Sequence, residues 1–271
     1  MQNLFVTAAI VAALAAAGSA QTQGRNSTRT GRDSGCSDRQ RNNRASFCEE
    51  RETTIGGANP IDIDAGNNGG IKIRGWDRGD VLVKAQVSAT AATQADAQRL
   101  VAGVRVETSG GSVRADGPQT SDREESWSVS FDVQVPRTAM LTLNTRNGGI
   151  SIDGFHGSAR FHATNGGVTL NSVDGDLKGE TTNGGVTVDL IGDHWNGTGL
   201  DVQTHNGGVR LTLPAGYSAE LETGTTNGGF NIDFPITVQG RIDRLLTATL
   251  GSGGPKIRAM TTNGGVTIRQ R

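Results

Sequence analysis

Asn-Gly-Gly followed by an apolar-x-apolar triplet occurs six times in the second half of the chain, at Asn147, Asn165, Asn183, Asn206, Asn227 and Asn263. A seventh copy stands upstream at Asn68. The first three of the six are 18 residues apart, the next gaps are 23 and 21, and the last is 36, twice 18. Such a period marks a solenoid, in which each repeat is one coil that buries its apolar face only against its neighbours.

Aligning the six copies on their Asn gives columns of constant character. Six residues before it stand Leu141, Ala159, Leu177, Leu200, Leu221 and Ile257, and two before it Thr145, Ala163, Thr181, Thr204, Thr225 and Thr261. Three after it come Ile150, Val168, Val186, Val209, Phe230 and Val266, and five after it Ile152, Leu170, Val188, Leu211, Ile232 and Ile268. Alternation with a period of two on both sides of a glycine turn describes two strands, each with one face buried. The expected fold is all-β, a right-handed parallel β-solenoid (β-helix) with coils of 18 to 23 residues and one short N-terminal helix. Parity also turns the Asn inward, where side-chain amides of coils stacked about 4.8 Å apart bond along the axis as a structural ladder. The glycines then supply positive φ or close backbone approach.

Two gaps depart from the period. The 23-residue one inserts Gly192 to Gly197, read as a protruding loop. The 36-residue one holds Phe234-Pro235, Arg241 to Leu250 and Gly251-Ser252-Gly253-Gly254, read as an irregular coil or hairpin before the closing repeat.

Upstream, residues 1–20 read as a secretory signal: an apolar run from Leu4 to Ala17, then Gly18-Ser19-Ala20, although no Lys or Arg precedes the run. Residues 21–54 read as a polar leader, and 55–271 as the repeat domain. Cys36 and Cys48 are expected to form a disulfide in an oxidising compartment, since a metal site needs more ligands than their neighbours offer. Gln94 to Val101 is the helical stretch, with Thr93 to cap it and Gly103 to end it. Gly110-Gly111, between two alternating runs, reads as the repeat phrase with Gly in place of the Asn. Trp127 to Pro136 alternates as a longer strand.

Chemistry is harder to find. A net charge of −1 gives no strong pull toward nucleic acid or an anionic membrane, and no later run is apolar for long enough to span one. The column six after the Asn reads Asp153, Asn171, Asp189, Thr212, Asp233 and Arg269. Its acids on alternate coils lie about 9.6 Å apart, too far to share one metal ion, so the column reads as a solvated face. His156, His162, His194 and His205 form no recognisable catalytic spacing. No Gly-Gly-x-Gly-x-Asp calcium phrase occurs, and the glycine pairs are not phosphate loops. No cofactor or metal is expected. Arg210 and the neighbouring acids break any flat threonine face of the ice-binding kind. Trp195 and Tyr217, in the longer connections, are the candidate aromatic contacts for a glycan or protein, or else covers for an open coil edge.

The phrase Thr-x-Asn-Gly-Gly-Val-x-Val resembles a bacterial domain-of-unknown-function family often labelled "putative adhesin" or β-strand-repeat protein. Val135-Pro136, the Gly251 to Gly254 turn and the final Asn263-Gly264-Gly265-Val266 fit it, and the likeness spans about Ile55 to Arg271. The resemblance implies a right-handed β-solenoid in the bacterial envelope or outside the cell, without common catalytic residues. The expectation is therefore a non-enzymatic exported protein with an envelope or extracellular protein or glycan as partner, located in the periplasm, at the cell surface or in the medium. Set against it are a polysaccharide-active β-helix enzyme and a periplasmic envelope-stress or scaffold module.

Overall fold

The computed structural model describes residues 27–30, 36, 44–120, 124–233 and 244–271. The secretory signal expected at 1–20 and the segment from Phe234 to residue 243 lie outside the described residues, as does most of 21–43.

The chain begins with β1 (Ser27–Thr30), β2 (Ala45–Ile55), β3 (Ile61–Asp64), β4 (Ile71–Trp76) and β5 (Val81–Ala91). Helix α1 (Gln94–Gly103) follows, then β6 (Arg105–Ser109), β7 (Ser112–Asp116) and β8 (Ser126–Pro136). The repeats then contribute strand pairs joined by Asn-Gly-Gly: β9 (Met140–Asn147) with β10 (Ile150–Asp153), β11 (Ser158–Asn165) with β12 (Val168–Asn171), and β13 (Asp176–Asn183) with β14 (Val186–Asp189). After them come β15 (Gly199–Asn206) with β16 (Val209–Leu213), and β17 (Ala219–Asn227) with β18 (Phe230–Ile232). Strand β19 (Leu245–Leu250) and the pair β20 (Lys256–Asn263) and β21 (Val266–Gln270) complete the chain.

These strands form two large mixed sheets. Sheet I has eleven strands in the order β1-β2-β5-β8-β4-β10-β12-β14-β16-β21-β18. Sheet II has ten, β19-β17-β20-β15-β13-β11-β9-β3-β7-β6. Each repeat gives its longer strand to sheet II and its shorter one to sheet I, parallel and in register with its neighbours. The aligned apolar columns and all the Thr of the second column are buried between the sheets, with Phe230 and Ile232 partly so. That narrow interior explains why a chain with 4% aromatic residues still closes a continuous core.

The Asn column points the other way from the parity expectation. Asn147, Asn165, Asn183, Asn206, Asn227 and Asn263 are all exposed. Alternation holds as far as the buried Thr and then fails because the chain turns its corner there. The inner corner is filled by backbone: a Cβ on Gly148, Gly166, Gly184 or Gly207 would stand 2.1–2.2 Å from the carbonyl oxygen of the matching glycine in the next coil. None of these four has positive φ, so close approach is what requires glycine.

Two hydrogen-bonded columns flank this corner. Outside, Asn165 Nδ2 donates to Asn147 Oδ1 (2.8 Å), Asn183 to Asn165 (2.8 Å), Asn206 to Asn183 (2.9 Å), Asn263 to Asn206 (2.7 Å) and Asn227 to Asn263 (2.7 Å). Inside, the hydroxyls of Thr145, Thr181, Thr204, Thr261 and Thr225 donate to the carbonyls of Gly69, Gly166, Gly184, Gly207 and Gly264 at 2.6–2.7 Å. The inner bonds matter more because water cannot replace them. Thr204→Val should cost about 1–3 kcal/mol and Asn183→Ala no more than about 1 kcal/mol, measured by urea unfolding. Equal losses would contradict this ranking.

Three further expectations are corrected. Residues 45–54, assigned with the polar leader, form β2 together with Ile55, and this strand pairs antiparallel with the whole of β5. Its alternation is masked because α1 packs against it: Arg51 donates to the carbonyls of Val101 and Val104 at the helix C-terminus. Gly110-Gly111 is a hairpin turn between β6 and β7, with φ of +60° and +83°, and not a coil corner. Finally, the coils do not stack in chain order. β20 lies between β15 and β17, and β21 between β16 and β18, while β19 caps the far side of β17 antiparallel. The closing repeat, last in the chain, thus lies one coil inside the end of the stack.

Thr93 caps α1 by accepting from the Asp96 amide, and Gly103 is its last residue. No helix among the described residues is long and apolar enough to cross a membrane. Cys36 and Cys48 are joined by a disulfide with S–S 2.01 Å, which fastens Cys36 to β2.

Candidate functional site

The acid column on sheet I is interleaved with bases. Arg74, Asp153, Asn171, Asp189, Thr212 and Arg269 are successive register neighbours. Asp189 meets Arg271 at 3.1 Å, Asp233 meets Arg269 at 3.1 Å, and Arg74 pairs with Asp132. The acids on alternate coils thus have cationic neighbours and do not converge on one point. Among the described residues no group of three or more His, Cys, Asp or Glu is placed to hold a metal ion.

Trp195 and Tyr217 are not surface contacts. They are 1% and 4% exposed, and the loop at Gly192 to Gly197, expected to protrude, turns its indole into the core. Trp195 Nε1 donates to the Gly175 carbonyl at 3.0 Å. Burial, with Asp174 and Asp193 nearby, pushes the Tyr217 phenol up to about 12.

At the corner opposite the Asn column, two histidines that the sequence left scattered join one polar chain. His156 Nδ1 lies 2.7 Å from Asp174 Oδ1, Asn196 Nδ2 reaches Asp174 Oδ2 at 3.4 Å, and His194 contacts Asn196 at 3.0 Å and Asp193 at 2.6 Å. The hydrogen bond to Asp193 raises the His194 pKa above its ordinary value. His162 and His205 lie elsewhere, on β11 and β15.

The outer face of sheet II holds the most extended polar arrangement. One row across its strands reads Thr142, Arg160, Lys178, Asp201, Arg258 and Glu222, and the row beside it Asn144, His162, Glu180 and Gln203. Arg258 bonds Asp201 at 2.7 Å and Glu222 at 3.2 Å, and Lys256 reaches Glu222 at 3.0 Å. Those bases hold the Glu222 carboxyl below its usual range, Lys256 first. Glu180 takes His162 at 3.1 Å and Gln203 at 2.8 Å. Between the rows runs a depression of about 420 Å³, with Gly179 and Phe161 in its lining. Sequence reasoning passed over both rows because the outward columns it aligned lie after the Asn, on sheet I, and before the Asn it aligned only inward ones. Yet Arg160 and Lys178, like His162 and Glu180, are one 18-residue period apart and could be read from the repeat.

A family model described as Toastrack DUF4097 matches residues 61–269. No curated protein matches the chain. Among solved structures it is similar to a "putative cell adhesion protein" from Clostridium sporogenes, with 12% identity, TM-score 0.40, and 83% of this chain and 100% of that one covered. A "putative adhesin" from Bacteroides fragilis shows 13% identity and TM-score 0.40 over 83% of this chain and 97% of that one. A "Putative lipid binding protein" from Parabacteroides distasonis shows 11% identity and TM-score 0.28 over 82% and 96%.

Proposed function

The chain belongs to the Toastrack DUF4097 family, and from that premise we propose that it is an exported, non-enzymatic scaffold that presents a repetitive β-surface to a protein or glycan of the cell envelope or the extracellular space. The observation that carries this reading is the outer face of sheet II. Six strands from β9 to β17 hold polar side chains in straight rows there, on a backbone fixed by parallel register. Such a face is rigid before any partner arrives, so little ordering entropy opposes binding. Export is supported by the Cys36–Cys48 disulfide, a bond that persists in oxidising compartments, together with the signal-like residues 1–20. In the same reading the coils are right-handed, the hand that parallel crossovers adopt on twisted sheets.

Protease shaving of intact cells tests the surface location. Rapid loss of the chain, with a cytoplasmic marker spared, is the expected result. Survival until the outer barrier is permeabilised would place the partner in the periplasm and reject the surface role.

A further inference from the structure

We propose that the depression on the outer face of sheet II binds a linear acidic polysaccharide through sugar carboxylates, with Arg160 and Lys178 as the anion-binding pair. The inference rests on the surface-interaction reading above and assigns its site and ligand class.

Lys178, Asp201, Arg258 and Glu222 alternate in sign along their row. Arg160 breaks the pattern, because its register neighbour is Lys178. Like charges directly opposite one another on adjacent strands repel, so this pair works against the sheet that carries it. Only Lys178 finds partial relief, from Asp201 on its other side. Among the described residues Arg160 has no ion pair, and Lys178, 70% exposed, only approaches Asp201 at 3.8 Å. Asp201 is already bonded to Arg258, and Glu180 to His162 and Gln203. A local rule broken with Arg160 left uncompensated points to a compensating group from outside.

The depression defines that group. Its two cations stand in one row, and Thr142 and Asn144 lie at the head of the two rows with a hydroxyl and an amide. The opposite row continues with His162, Glu180 and Gln203, and Asp201 also lines the depression. The Glu180 carboxylate is held by His162 and Gln203 and that of Asp201 by Arg258, which leaves Arg160, among the described residues, as the cation without a partner. A guanidinium fork suits a carboxylate, and neutral amides and hydroxyls suit sugar hydroxyls. A uronate-type sugar carries both on one ring. The depression runs across the strands, so a linear polymer of such rings can follow it over successive coils. With a net charge of −1, the chain has no general attraction for polyanions, and recognition falls to this local pair.

The test is binding of the full chain to polygalacturonate by titration calorimetry at low salt. Wild type should bind, and added salt should weaken it. Arg160→Ala with Lys178→Ala should weaken binding by about tenfold or more. Thermal unfolding of the same variant should be unchanged or shifted upward, because repulsion is removed. A fall in its melting temperature would show the pair to be structural and overturn the proposal. Lys72→Ala with Arg210→Ala, the same loss of charge on sheet I, should leave binding intact, and an equal loss there would also overturn it. So would amylose or polyglutamate binding as tightly as polygalacturonate, the first against the carboxylate and the second against the sugar. If wild type fails to bind while protease shaving still removes the chain from cells, the ligand assignment falls and the surface role stands.

Discussion

Gly184→Ala is expected to destabilise the protein by about 3 kcal/mol or more, a large effect for one added methyl group. The Cβ would lie 2.2 Å from the Gly166 carbonyl oxygen and 2.4 Å from its carbon, so the backbone itself must move. Local relief is blocked on both sides. A Cβ on Gly166 would meet Gly148 at 2.1 Å, and one on Gly207 would meet Gly184 at 2.1 Å, so a shift at one corner passes to the next. Gly79→Ala is the control. No heavy atom lies within 4 Å of its Cβ position and its φ is not positive, so stability should stay within about 0.5 kcal/mol. Urea unfolding of the two variants decides the matter: a wild-type midpoint for Gly184→Ala would refute the stacked-backbone corner.

Trp195→Ala should cost about 3–5 kcal/mol, as expected for emptying a buried aromatic site. Trp195→Phe keeps most of the apolar volume and loses the bond to the Gly175 carbonyl, which still accepts from the Gly199 amide at 3.2 Å, so the expected loss is about 0.5–1.5 kcal/mol. The order Ala, then Phe, then wild type follows from the indole's burial. Had the ring been a surface contact, both variants would unfold at the wild-type midpoint while losing a partner.

The inward columns were legible because burial between two sheets demands an apolar residue at every second position, and six copies repeat that demand. The Thr column was legible for the same reason, although its hydroxyls proved to be the inner donors to the glycine carbonyls. Parity failed one step later, at the Asn, because alternation is a property of a straight strand and the chain was already turning. Trp195 misled for a different cause. An insertion of polar and glycine residues reads as a loop, and a single large apolar residue within it carries no period to reveal its direction. The place of β20 was also beyond the pattern, since every coil presents the same edges and the phrase says nothing about which neighbour it will meet. The outward rows that carry the candidate site were written in the period all along. Their residues vary in type, and only register shows that Arg160 faces Lys178.

The displaced coil gives the molecule an unequal response to force. Strand β20 is gripped in parallel register by β15 on one side and β17 on the other. Tension along it must therefore shear two ladders at once, breaking many hydrogen bonds together. The same tension on β19, held among the described strands by β17 alone, would open one ladder. A closing strand seated between two earlier ones is a mechanical clamp, with its grip set one coil inside the end of the stack.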